Sequence, residues 1–132
     1  MAIQYEGLDI AFEAAEDLSS YQYRFVVQAT DTTVRLANAG TDVPLGVLQN
    51  APESGETAVV RVTGISKLVM NASVAVGARL KMEYVGAADN GKGDAADTEG
   101  DQERGICVQA SGAEDDIGAI LLIFNETSVP AG

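Results

Sequence analysis

From Tyr21 onward, apolar and polar positions alternate in short runs broken by turn residues. Gln22–Gln28 is dense in aromatic and β-branched side chains, and Asp31–Leu36 and Leu45–Gln49 follow it across turns. In Thr57–Val62, Ala58, Val60 and Val62 fall on one side of an extended chain, and Thr57, Val59 and Arg61 on the other. This period of two predicts half-buried strands. Gly64 separates that run from Ile65–Met70 and permits a bend or bulge. Ala78–Met82, Arg104–Ala110 and Ile117–Phe124 complete the set. The last run is apolar on both faces, which places it in a core or under a second subunit. Ala39–Asp42 and Pro52–Gly55 carry the glycine, proline and aspartate of tight turns. Strands recurring roughly every 8–12 residues predict a mostly β chain, a compact antiparallel β-sandwich or small β-barrel.

Three segments depart from this pattern. Residues 1–18 fit an extended N-terminal arm anchored by Ile3, Tyr5, Leu8, Ile10 and Phe12, or else a short helix capped by Asp9. Fully extended, such an arm reaches about 60 Å. Residues 86–100 are rich in Gly, Ala and Asp without periodicity, and predict a long acidic loop. Residues 127–132 predict a flexible tail. The expected organisation is an arm over 1–18, a β domain over 19–126 and the tail. Within the β domain, Leu45-Gly-Val-Leu-Gln-Asn-Ala-Pro52 resembles Arg104-Gly-Ile-Cys-Val-Gln-Ala-Ser111. Each is followed by a glycine turn, acids and an apolar strand, which suggests two similar strand–turn–strand units.

Charge sharpens the division. The chain of 132 residues carries a formal charge of −12. Residues 1–18 hold Glu6, Asp9, Glu13, Glu16 and Asp17 and no base, whereas six of the eight bases lie between Arg24 and Lys81. Acids dominate again from Glu83. A mildly basic β-core is thus flanked by acidic ends. Such a chain repels phosphate backbones and anionic membranes, so neither nucleic acid nor a membrane is an expected partner. No apolar run approaches the ~20 residues that span a bilayer, and Met1–Glu6 lacks the basic and apolar regions of a signal peptide.

The chemistry is one of absences. Without histidine there is no Ser-His-Asp or Cys-His arrangement and no imidazole metal site. Phosphate-binding glycine loops are missing. Tryptophan is absent and aromatics make up 5% of the chain, too few for a carbohydrate-stacking platform. Paired carboxylates from Glu114–Asp116 or Asp97–Asp101 are the remaining catalytic option, but a chain of this size and composition does not suggest the cleft they need. No catalytic residue and no cofactor are expected. Cys107, the only cysteine, lies in an apolar run and reads as a small buried hydrophobe. The one metal candidate is a calcium turn at Asp94, Asp97 and Asp101. It lacks the glycine and bidentate glutamate of an EF-hand loop and reads more simply as a solvated acidic loop.

Several stretches together resemble small capsid cement (head decoration) proteins of tailed phages. They are Asp17–Val27, Pro44–Glu56, Val60–Lys67, Val76–Leu80, Gly105–Ala110 and the final apolar strand. The run Gly46-Val-Leu-Gln-Asn-Ala-Pro52 is the most specific of them. The resemblance implies a β-rich virion protein, made in the host cytoplasm, on the outer surface of a shell built from an HK97-like major capsid protein. It implies a homotrimer at threefold and quasi-threefold positions that stabilises the expanded head. The acidic arm and the 86–100 loop have no counterpart in it. On this view the five anchors Ile3, Tyr5, Leu8, Ile10 and Phe12 touch the capsid, and the loop faces outward. A head-fibre base, connector or tail component and a small ligand- or calcium-binding β-barrel are the alternatives.

Overall fold

The computed structural model describes residues 5–97 and 101–123. The mostly β expectation holds: among the described residues nine strands form, with one 3₁₀ turn at Ala87–Asp89, but the pairing is mixed rather than wholly antiparallel, because the first strand runs parallel to the third. They are β1 (Gly7–Ala14), β2 (Phe25–Gln28), β3 (Thr33–Leu36), β4 (Gly46–Leu48), β5 (Thr57–Val69), β6 (Arg79–Met82), β7 (Gly93–Ala95), β8 (Gly105–Gln109) and β9 (Ile117–Leu122). Their order is β1-β3-β2-β4-β5-β9-β8-β6-β7, and β1 also pairs with β5. That extra pairing closes β1, β3, β2, β4 and β5 into a small barrel. The remaining strands extend a second sheet from the far half of β5.

Each half has its own core. Leu18, Val26, Val34, Leu36, Leu48, Ala58 and Val60 fill the barrel. Phe25, Val47, Leu68, Met70, Leu80, Cys107 and Ile120 fill the space between the barrel wall and the second sheet. β2 and β4 serve both cores, because successive side chains of a strand point to opposite faces. Val26 and Leu48 point inward, and Phe25 and Val47 point to the second core.

β5 joins the two halves, and a bulge lets it do so. Leu8 pairs with Thr63 and Asp9 with Arg61, so Val62 is an extra residue in β5. Before it, the even positions Ala58 and Val60 face the barrel. Beyond it, the even positions Leu68 and Met70 face the other core. A one-residue insertion exchanges the faces of a strand. Gly64, at φ +93°, takes the bend, and a Cβ there would stand 2.2 Å from the Glu6 carbonyl oxygen. Arg61 braces the bend. Its guanidinium donates to the carbonyls of Tyr5 (2.7 Å) and Ile65 (3.0 Å) and to both Asp9 carboxylate oxygens (2.7 and 3.0 Å).

Two expectations are corrected. Residues 7–14 are extended rather than helical, but they are not an arm: β1 pairs with β5 from Gly7↔Gly64 to Glu13↔Thr57 and is a wall of the barrel. The 86–100 stretch is not a plain outward loop. Residues 84–88 are exposed, but Gly93–Ala95 pairs with β6, and Gly91 lies where a Cβ would meet Leu36 and Phe25. Lys92 is buried and its ammonium lies 2.7 Å from Asp89, 2.5 Å from Asp115 and 3.7 Å from Glu114. Glycine-rich backbone packed against side chains, pinned by one buried cation, leaves no periodicity to read.

The two similar sequence units are two antiparallel pairs, β4 with β5 and β8 with β9. Their shared glycine has a shared cause. A Cβ at Gly46 would stand 2.1 Å from the Arg61 carbonyl oxygen, and one at Gly105 would stand 2.2 Å from that of Leu121.

Candidate interaction surface

β1 meets β3 only at its C-terminal end, through Glu13↔Thr33 and Ala14↔Val34. The hydrogen bonds show which way its backbone groups point. The Glu6 carbonyl accepts from Ile65, and Ala14 donates to Glu56 and accepts from Gly55, so even-numbered residues bond to β5. Glu13 and Ala15 donate to Thr32 and Val34, so odd-numbered residues face the opposite edge. By this alternation Gly7, Asp9 and Ala11 direct their amides and carbonyls out of the sheet, and no described residue pairs with them there. An open edge of this kind accepts a strand from another chain.

The side chains beside this edge suit that role. Leu8 is 56% and Ile10 40% exposed. At Gly64, which pairs with both Gly7 and Leu122, β1 meets the second sheet. There Ile65, Leu121 and Ile106 form a cross-strand apolar row, and Ile117 lies further along β9. Glu6 and Glu13 are exposed at either end of β1. Asp9 is the acid of this strand that is neutralised, by Arg61. The surface offers backbone pairing, apolar burial and a negative rim.

The five expected anchors do not act as one set. Leu8 and Ile10 are exposed together. Phe12 packs against the barrel core instead. Tyr5 is half-buried: its hydroxyl hydrogen-bonds the Gln109 side chain, and its ring lies under the Lys67 ammonium. Lys67, Ala119 and Gln109 form one cross-strand row, and Ala119 is fully buried. Tyr5 therefore covers its own sheet. Ile3 lies outside the described residues. The apolar outer face of the last strand, with Leu121, is legible in the sequence, but Ile65 and Ile106 look like ordinary strand residues, and the pairing that aligns the three is long-range.

Of the calcium candidates, Asp94 and Asp101 already have partners within the chain. Asp94, in β7, accepts from the Asn71 side chain and from the Ala95 amide. Asp101 pairs with Lys81 at 3.4 Å. Among the described residues no three acidic side chains gather in a way that could hold a metal ion. Cys107 is buried in the second core, and burial pushes its thiol pKa up, away from thiolate chemistry.

No protein-family model matches the chain, and no curated protein matches it in sequence. In fold it is similar to a solved structure, the N base of head fiber gp8.5 of bacteriophage phi29. The TM-score is 0.65 over 91% of this chain and 97% of that chain, at 14% identity. At that identity the likeness is one of fold.

Proposed function

We propose that this protein is a structural component of a tailed-phage head, docked on the outer surface of the shell through the open edge of β1. The edge itself carries the proposal: Gly7, Asp9 and Ala11 present a ladder that no described residue pairs, beside exposed Leu8 and Ile10. The fold likeness to a head-fibre base, and the resemblance of the strand-and-turn runs to cement proteins, both favour a virion setting. In this scheme an extended segment of the major capsid protein adds to β1, and the acidic rim favours a basic one. Binding the assembled lattice, and not the free subunit, stabilises the shell by mass action. A trimer at threefold positions multiplies the contacts. The fold likeness also favours a second assignment, the base of a head fibre.

The test is cosedimentation with purified heads stripped of accessory proteins. The wild-type chain should pellet with heads, and Ala11→Pro should stay in the supernatant. Pellets that contain Ala11→Pro at the wild-type level would overturn docking through β1. Absence of binding by the wild-type chain would overturn the virion assignment. A density map of decorated heads separates cement from fibre base, and sedimentation equilibrium reads the trimer directly.

A further inference from the structure

We propose that the groove between the 40–43 turn and the start of β8 is a carboxylate-binding site, with the Arg104 guanidinium as its anion-binding group. This inference does not depend on the virion assignment. The groove has a volume of about 410 Å³ and is lined by Gly40, Thr41, Asp42, Val43, Gln102 and Arg104. It adjoins a narrower recess of about 90 Å³ that Lys81 and Tyr84 also line.

Among the described residues, charge pairing in the groove is complete except at one group. Both Asp42 oxygens are taken, Oδ1 by Arg35 at 2.9 Å and Oδ2 by Arg35 and the amides of Asn38 and Ala39 at 2.9–3.1 Å. Lys81 is paired with Asp101. No ion pair and no side-chain hydrogen bond joins Arg104 to any described residue, although the protein has 20 acids and eight bases. Burial holds the Arg104 pKa below the ordinary arginine value, and no opposing interaction accompanies it. A partly desolvated guanidinium with no partner among the described residues costs stability, and that cost is recovered when an anion arrives.

The surroundings select the anion. Gln102 and Thr41 bring an amide and a hydroxyl that complement the planar fork of arginine. One unmatched positive charge suits a monovalent carboxylate. A phosphate dianion would sit against Asp42 and Asp101 with its second charge uncompensated. Val43 (68% exposed) and Tyr84 (45% exposed) give the site an apolar rim. The Tyr84 ring fits because residue 40 is glycine: a Cβ there would lie 2.9 Å from the ring. The carboxylate is either a free organic acid or an aspartate or glutamate of a second copy of this chain.

The experiment uses the full chain. Sodium acetate is titrated against sodium chloride at matched ionic strength, and the Arg104 Nε–H resonance is followed by NMR, assigned with Arg104→Lys. A saturable shift with acetate and none with chloride is expected. Arg104→Gln should weaken acetate binding about tenfold or more, read from the protection of melting temperature by acetate. Gln102→Leu should weaken it less. Without acetate, Arg104→Gln should melt at or above the wild-type temperature. Equal responses to acetate and chloride would overturn the site. So would a lower melting temperature for Arg104→Gln, which would make the guanidinium part of the scaffold. Sedimentation then separates the sources. Self-association that acetate competes away and Arg104→Gln abolishes assigns the carboxylate to a second copy. A monomer with an intact acetate response assigns it to a free acid.

Discussion

Arg35 and Asp42 close the turn after β3 with a two-pronged pair, and the Asp42 side chain is only 10% exposed. The Arg35 guanidinium holds the Asp42 carboxyl below its ordinary value of 3.8, and the Asn38 and Ala39 amides add to this. A carboxyl depressed in the folded state contributes stability that is present above its unfolded pKa and lost as pH falls through the folded one. The wild-type melting temperature should therefore begin to fall below about pH 4. Asp42→Asn should cost about 1–3 kcal/mol at pH 7 and flatten that acid limb, as read by thermal melts from pH 7 to pH 2. An unchanged acid limb in the variant would assign the fall to other carboxyls. Gly64 is constrained differently. Its φ of +93° disfavours any side chain, and a Cβ would lie 2.6 Å from the Gly7 Cα. Gly64→Val should cost about 3 kcal/mol or more by urea denaturation. Near-wild-type stability would mean that β1 can draw back from the bend.

At the scale of elements, β1 shows what the sequence carried and what it did not. The presence of apolar anchors in it, among them Leu8, Ile10 and Phe12, was visible. Whether it formed an arm, a helix or a barrel wall was not, because Ala- and Glu-rich local sequence is compatible with all three and only pairing with β5 decides. β7 was hidden for a related reason, since Gly93-Asp-Ala95 has no pattern of its own. By contrast β5 could be read almost residue by residue, including a bend at Gly64. The phase change at Val62 could not be read, since two cores on opposite faces are a property of the fold. The new position of β1 also changes how it should be tested. Deleting residues 2–16 would remove a barrel wall and confound binding with unfolding. Ala11→Pro is the cleaner change. Its amide faces the open edge, where proline removes no ladder bond. It should leave the melting temperature within a few degrees of wild type and abolish cosedimentation. Collapse of the fold in Ala11→Pro would show instead that the Ala11 amide is used within the chain.

At the scale of the whole molecule, the shared wall of β2 and β4 decides whether the two cores can open separately. Val47 and Leu48 are adjacent residues facing different cores, and both are fully buried. Moving one without the other requires that β4 distort. β5 runs through both halves and imposes the same condition, so one cooperative unit is expected. Cys107 reports on this directly. It is buried in the second core, whereas Leu48 belongs to the barrel. Leu48→Ala should destabilise the protein by about 2–5 kcal/mol. If the halves open together, thiol labelling of Cys107 under native conditions should accelerate by the factor that this loss implies, about tenfold for each 1.4 kcal/mol. Labelling at the wild-type rate, alongside a lowered melting temperature, would mean that the barrel opens while the second sheet stays closed. The scaffold would then be two units joined at a bend, and the open β1 edge would sit on the more labile of them.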